Sequence, residues 1–276
     1  REAAGKLDSL HTSISEALNS GDLTTLGTII GNNPEALAAA IAAPVGVEKT
    51  PVYPVANFGS QMAPLYTILA LWVGSILMVV SLRSDVTDAT VADGLPEGDP
   101  LRATLTAKPV GLAAGYLGRY LIFGTIALTQ ATLVGLGDLY FLKVQHAHPL
   151  QFMGTLWLTA VVFSFLLYTL IATFGNAGKA LGVLLLVLQI SGAGGAFPLA
   201  ILPSFFSSIS PFLPATHAIT ALRASIAGYA GHEYADAMWF LSSFILFAAF
   251  LGLALRPLLV RNNRRMVEKL ESTKLL

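Results

Sequence analysis

Two histidines, His146 and His148, alternate along the chain, with Asp138 a short way upstream. Imidazoles and a carboxylate are ligand types that zinc accepts. A structural zinc site, however, draws on about four of them, so no metal site is expected here. His217 and His232 stand apart and read as interfacial. Arg119 interrupts an otherwise uncharged run, where a cation is costly and often functional. It could line a cavity, bind a lipid phosphate or stretch its stem to the headgroups, and the last is favoured. Arg223 is followed by Glu233 and Asp236, a candidate ion pair of structural character. Lys179 follows Asn176 and Gly178 in a short turn and reads as an anchor. Trp72 lies in the middle of an apolar run, where an indole N–H needs a partner, and packing is its favoured role. Asp138 reads as the solvated end of another run. The chain has no phosphate-cradling Gly-x-x-x-x-Gly-Lys-Ser/Thr loop, no nucleophile elbow or catalytic carboxylate pair, and no cysteine. Neither an enzyme nor a cofactor protein is expected.

The elements that position these residues follow from the composition. Of 276 residues, 54% are hydrophobic and 12% charged, the net charge is zero and the mean hydropathy is +0.68. A soluble domain carries about 25% charge, and so apolar a chain lacks the polar surface to cover a water-soluble globule. Disorder, a disulfide scaffold and a basic nucleic-acid binder are excluded. A helix spanning a hydrocarbon core needs about 20 apolar residues. Five uncharged stretches meet that need: 62–82, 120–137 (the helix beginning near Val110), 150–174, 180–197 and 237–255. The fold expected is an all-α polytopic membrane protein. Gly111, Gly115 and Gly118 suit close helix packing within a protomer or across a homodimer, and Trp239 suits an interfacial belt.

Lys and Arg near span ends set orientation. With the N-terminal part outside, ten basic residues fall on the cytoplasmic side and five outside. The decisive cluster is Arg256, Arg261, Arg264, Arg265, Lys269 and Lys274 after the last span. An outside N-terminus implies an upstream span, making six in the full protein, and the chain begins with Arg1 rather than Met. Residues 1–55 read as the membrane-proximal end of an extracytoplasmic helical domain, with helices near 7–18 and 34–43. Residues 56–262 form the transmembrane part, and 263–276 a cytoplasmic tail. The loop at 84–108 is read as a connector with a short interfacial helix near 101–107, a place where exporters can dock an ATPase.

Residues 180–222 carry no charge, too many for one span and too few for two with a loop. Gly192, Gly194 and Gly195 loosen a helix end, and Pro198, Pro203, Pro211 and Pro214 follow. Leu199, Leu202, Phe206 and Ile209 keep helical spacing. An outer re-entrant hairpin of short helices is expected, then a helix near 216–227 capped by Gly228.

The segments YPVANFGSQMAPLYTILALWVGSILM (from Tyr53) and LQISGAGGAFPLAILPSFFSSISPFLPATHAITALRASIAG (from Leu188) resemble the C-terminal membrane region of YhgE/Pip proteins, the phage infection protein family. The likeness covers most of residues 50–260. It rests on an aromatic-Pro-Val before the first span, Ala-Leu-Trp-Val-Gly within it, and Gly-Gly-x-Phe-Pro followed by Pro-Phe-Leu-Pro. His217 departs from the pattern, which has Tyr there. The resemblance implies one N-terminal span, a large extracytoplasmic helical domain and five spans similar to the permease half of type-2 ABC exporters. It implies a bacterial plasma-membrane permease that handles or exports a lipidic or peptidic envelope component, in some relatives exploited as a phage or bacteriocin receptor. The alternative is a non-transporting subunit of a type VII-like secretion or envelope assembly. Membrane lipids, a second copy or larger complex, and a separate ATPase are the partners implied; nucleic acid is not. A substrate or lipid path would pass Arg119, Trp72, Gly194, Gly195, Phe197 and Pro198, with Pro203, Pro211 and Pro214 shaping the hairpin.

Overall fold

A computed structural model describes residues 52–82, 94–107 and 111–256, together with His11, Thr12, Ser15 and Asn19. The expected helices near 7–18 and 34–43, and the tail at 263–276, lie largely outside them. The chain divides at Val52/Tyr53 into two units, and the second is described here. Among the described residues all regular structure is helical.

Helix α1 spans Phe58–Ser81 and begins where Asn57, in extended backbone, accepts the Ser60 amide on its side-chain oxygen at 2.8 Å. That cap meets one of the four orphan donors of a helix start, so α1 opens a turn before the apolar run that marks it in the sequence. Helix α2 is Pro100–Ala107, started by Asp99, which accepts the Leu101 amide at 2.8 Å. Helix α3 is Leu112–Leu136 and runs on into a π-helical turn at Gly137–Phe141. Helix α4 is Pro149–Phe174, with Pro149 in the first turn, where its missing N–H costs nothing. Helix α5 is Asn176–Gly192. Short pieces follow: a 3₁₀ turn at Leu199–Ile201, α6 at Ser204–Ile209 and a 3₁₀ turn at Ser210–Phe212. Helix α7 is Pro214–Ala227, and α8 is Glu233–Phe250 with a π-helical turn at Leu251–Leu255.

Among the described residues four helices are long and apolar enough to cross a membrane: Phe58–Ser81, Ala113–Phe141, Pro149–Phe174 and Glu233–Leu255. The fourth apolar stretch of the sequence, expected at 180–197, forms α5, with 17 residues. At 1.5 Å per residue it is roughly 25 Å long, short of a core of about 30 Å. It starts earlier than expected because Lys179 lies in its first turn, and it stops at Gly192, leaving 193–198 irregular.

Helix α4 is the central pillar. It packs against α1, α3, α5, α7 and α8, and buries residues all around its circumference, from Phe152 to Thr173. The other long helices are apolar outward as well: Leu121 and Leu133 on α3, and Leu246, Phe247 and Phe250 on α8, are all exposed. Apolar surface on that scale is not stable in water; facing lipid it carries no penalty. The chain is a multi-pass membrane protein.

The α4–α5 turn is a single residue, Gly175, at φ 58° and ψ −125°, a region where a Cβ is strained. The returning helix then lies tightly on α4. A Cβ on Gly178 would overlap the Leu170 carbonyl, and one on Gly182 would come within 2.8 Å of Leu167 Cδ2. Trp72 is fixed at the same crossing. It is 1% exposed, its indole N–H donates to the Gly182 carbonyl at 3.3 Å, and Phe163 meets it edge-on at 4.7 Å. By contrast, a Cβ on Gly111, Gly115 or Gly118 would meet nothing within 4 Å. Among the described residues these glycines make no close packing contact within the protomer.

A polar ladder joins α3 to α4. The Tyr116 and Thr169 hydroxyls lie 2.6 Å apart, Tyr168 donates to the Tyr116 carbonyl at 2.9 Å, and Tyr120 donates to the Val161 carbonyl at 3.1 Å. Arg256, at the end of α8, stands over the Tyr116 ring at 5.4 Å.

Candidate functional site

One end of the bundle gathers the starts of α1, α4 and α8, the ends of α3 and α5, and the whole of 193–233. Hydrogen bonds tie it together. Gln145 accepts the Ala56 amide at 2.6 Å, donates to the Pro54 carbonyl at 3.0 Å, and through its own backbone N–H donates to Ser60 Oγ at 2.9 Å. The Ala147 and His148 amides donate to the Ile226 and Ser225 carbonyls.

A cleft of about 530 Å³ opens at this end, between the approach to α1, the irregular stretch after α5, and the α7–α8 connection. Its walls are mostly apolar: Val55, Met62, Pro64, Ala196, Phe197, Pro198, Ile226. The polar residues among them are few, chiefly Arg223, Glu233, Tyr53 and Tyr229. Few, placed polar groups on apolar walls are what a small-molecule site presents. Gly194 takes φ 69°, letting the backbone double back beneath Leu199. Gly195 sits so close to Leu65 and Ile219 that a Cβ would come within 2.6 Å of Leu65 Cδ1.

Arg223, on α7, donates from Nη2 to the Gly195 carbonyl at 2.7 Å. This corrects the expected ion pair. Among the described residues Arg223 forms no bond with Glu233 or Asp236, because its guanidinium reaches across to the irregular stretch. The two acids instead occupy the first turn of α8, where the helix dipole favours negative charge. A guanidinium has five N–H donors, and Arg223 makes no other hydrogen bond among the described residues.

The structure brings together Gly194, Gly195, Phe197 and Pro198 on this cleft, and adds Arg223 and Glu233. It does not bring Trp72, which is sealed in the α1–α4–α5 crossing, or Arg119, which is half-buried on the third turn of α3 and does not line the cleft. Pro203 and Pro211 start the short pieces and Pro214 starts α7. His217 donates from Nε2 to the Pro211 carbonyl at 2.8 Å and stacks on Phe240. His146 turns Nδ1 to the Val144 carbonyl, and His148 packs on Tyr229. Among the described residues no three acids or histidines converge on a metal site.

Asp138 is the largest departure from expectation. It is 6% exposed rather than solvated, and Thr67 donates to its Oδ2 at 2.6 Å. The π-helical turn carries it inward, since one extra residue in the turn rotates the chain relative to α3. Nothing in the sequence near Asp138 signals this, because its partner lies 71 positions away.

The bundle thus combines long apolar helices, a broken segment and an apolar cleft with a placed guanidinium. The chain matches the family model of ABC-2 family transporter proteins over residues 4–256, and it belongs to that family. It is also similar to an uncharacterized protein, YhgE, of Bacillus subtilis (strain 168), at 25% identity over 215 residues. That match covers 78% of this chain but only 25% of the relative, so the chain spans about a quarter of the relative's length. No solved structure matches the chain.

Proposed function

We propose that the chain is the permease part of a bacterial plasma-membrane exporter that moves an amphipathic envelope component, lipidic or peptidic, bearing an anionic group. The observation that carries this reading is the cleft at 194–198. Apolar walls accept a chain, and Arg223, held by the Gly195 carbonyl, presents its remaining donors to a phosphate or carboxylate. Helix α5 serves as a fifth span, its length completed by residues 193–198. The pieces at 199–212 and α7 form a re-entrant hairpin, and this end of the bundle is the outer one, with the C-terminus cytoplasmic. Irregular backbone at membrane depth survives only where its polar groups are met, and Arg223 and His217 of α7 meet the Gly195 and Pro211 carbonyls. Energy comes from a separate ATPase chain, and the working unit is a dimer or larger complex.

Purification from native membranes, with mass spectrometry of the chains and lipids retained, tests the proposal. An ATPase chain and an anionic amphiphile should be retained by the wild type. Arg223→Ala should lose the amphiphile and keep the ATPase. Retention of extracytoplasmic proteins alone, with no ATPase and no change on Arg223→Ala, would overturn it in favour of a structural subunit of an envelope or secretion assembly.

A further inference from the structure

A second cleft, of about 460 Å³, lies beside the first; Ser60 and Met62 line both. It sits between the start of α1 and the end of α3, and its polar character is the reverse of the first. Its charged residue is Asp138, and no lysine, arginine or histidine lines it. Lys143, between the lining residues Leu142 and Val144, is exposed and outside the lining. Thr67 gives the carboxylate its one hydrogen bond among the described residues. A buried carboxylate is normally paired with a cation, and among the described residues no cation supplies the pair.

Two aromatic rings complete the cleft. Phe58 and Tyr66 line it and are 74% and 63% exposed, so their faces are open rather than used in packing. The remaining wall is Met62, Ala63, Ala70, Val134 and Leu142. A carboxylate at the base with open aromatic faces at the rim suits an organic cation better than a metal ion. A metal ion requires several oxygen ligands, whereas an alkylammonium is held by one carboxylate and the ring quadrupoles.

We propose that this second cleft binds an alkylammonium group, with Asp138 as its counter-charge, Thr67 fixing the carboxylate and Tyr66 and Phe58 covering the carbon-bound face. The group arrives either on an amine-bearing lipid headgroup or on a soluble amine. Nothing in it requires an anionic ligand or the Arg223 guanidinium of the first cleft.

Calorimetric titration of the detergent-solubilised protein with octylammonium, octanol, ethylammonium and sodium tests the assignment. The wild type should prefer octylammonium to octanol by at least tenfold, with no saturable response to sodium. Asp138→Asn should abolish the preference. Tyr66→Leu, a change at an exposed position that leaves folding alone, should weaken octylammonium about three- to tenfold while octanol is unaffected. In nanodiscs of phosphatidylglycerol containing phosphatidylethanolamine, native mass spectrometry distinguishes the source. Phosphatidylethanolamine retained by the wild type, lost on Asp138→Asn and not displaced by ethylammonium identifies a lipid headgroup; displacement identifies a soluble amine. Equal binding of octylammonium and octanol by the wild type, an unchanged preference in both variants, or saturable sodium binding that displaces octylammonium overturns the proposal.

Discussion

Gly178→Ala adds one methyl where two helices touch backbone to backbone. The new Cβ would overlap the Leu170 carbonyl oxygen, lie 2.5 Å from the Leu170 carbonyl carbon and 2.8 Å from Ile171 Cα. These are backbone atoms of the central helix, so no rotamer change relieves them, and α5 must move off α4 by about 1 Å to restore ordinary contact. Overpacking of this kind costs about 1–3 kcal/mol. The shift also stretches the Trp72–Gly182 hydrogen bond, already 3.3 Å, whose loss adds about 1 kcal/mol. For a chain of this size each kcal/mol lowers the melting temperature by about 2–4 °C, so a fall of about 4–16 °C is expected in thermal unfolding of the detergent-solubilised protein. Gly115→Ala is the internal control. It makes the same chemical change in the first turn of α3, meets nothing within 4 Å, and should raise stability by a few tenths of a kcal/mol through helix propensity. Equal melting of Gly178→Ala and wild type would refute the close crossing; a fall for Gly115→Ala as large as that for Gly178→Ala would refute the ranking.

Other perturbations act through single polar atoms. Thr67→Val keeps shape but removes the donor to Asp138, and should cost about 1–3 kcal/mol as a buried group loses its partner, read by the same melting assay. Gln189→Met removes the acceptor of the buried Ala215 amide and should cost a similar amount, about 1–3 kcal/mol. Gln145→Ala frees the Ala56 amide and the Pro54 carbonyl; hydrogen exchange at Ala56 should speed up, while that of the α4 core should not. The chain has no cysteine, so topology can be read with added ones: His146→Cys should label from outside and Arg264→Cys only from inside, and the reverse pattern would overturn the orientation.

Much of the bundle was legible because the charge gaps in the sequence measure hydrocarbon depth. They do not measure helices, and this explains the boundary shifts. Glu233 and Asp236 lie in the first turn of α8, Lys179 in that of α5, and the Asn57 cap starts α1 at Phe58. Charges and caps at helix ends sit outside the apolar core while remaining helical. The break after α5 was legible from its glycines and prolines, since those residues restrict the backbone locally. What stayed hidden were pairings across the bundle. Arg223 was visible as a lone cation, yet the acids nearest in sequence were the wrong partners, because α7 turns its face toward 193–198 and α8 starts in another direction. Asp138 needed both the π-helical turn and Thr67, and neither has a local signature.

The same pairings explain how the broken segment holds its shape. Between Ala193 and Leu213 the chain forms only two 3₁₀ turns and the six residues of α6, so it cannot satisfy its own backbone as a long helix does. Side chains of α7 meet two of its carbonyls, Gly195 and Pro211, and two further side-chain contacts pin its junction with α7. Gln189 on α5 accepts the Ala215 amide at 3.0 Å, Arg223 on α7 donates to the Gly195 carbonyl at 2.7 Å, His217 donates to the Pro211 carbonyl at 2.8 Å, and the Ser210 and Thr216 hydroxyls meet at 3.1 Å. An unmet backbone group in a low-dielectric setting costs several kcal/mol, so these few side chains fix the course of the whole segment. Arg223 is thereby committed twice, once to the backbone that forms the cleft wall and once, in the proposed function, to the ligand within it. An Arg223→Lys variant separates the two roles. A lysine retains the charge but lacks the planar fork, so it can meet the Gly195 carbonyl or a ligand anion but not both as arginine does. Cleft geometry, read by hydrogen exchange at 193–198, should therefore recover more fully than retention of the anionic amphiphile. Recovery of retention without recovery of the exchange pattern would show that the carbonyl contact is not what holds the wall.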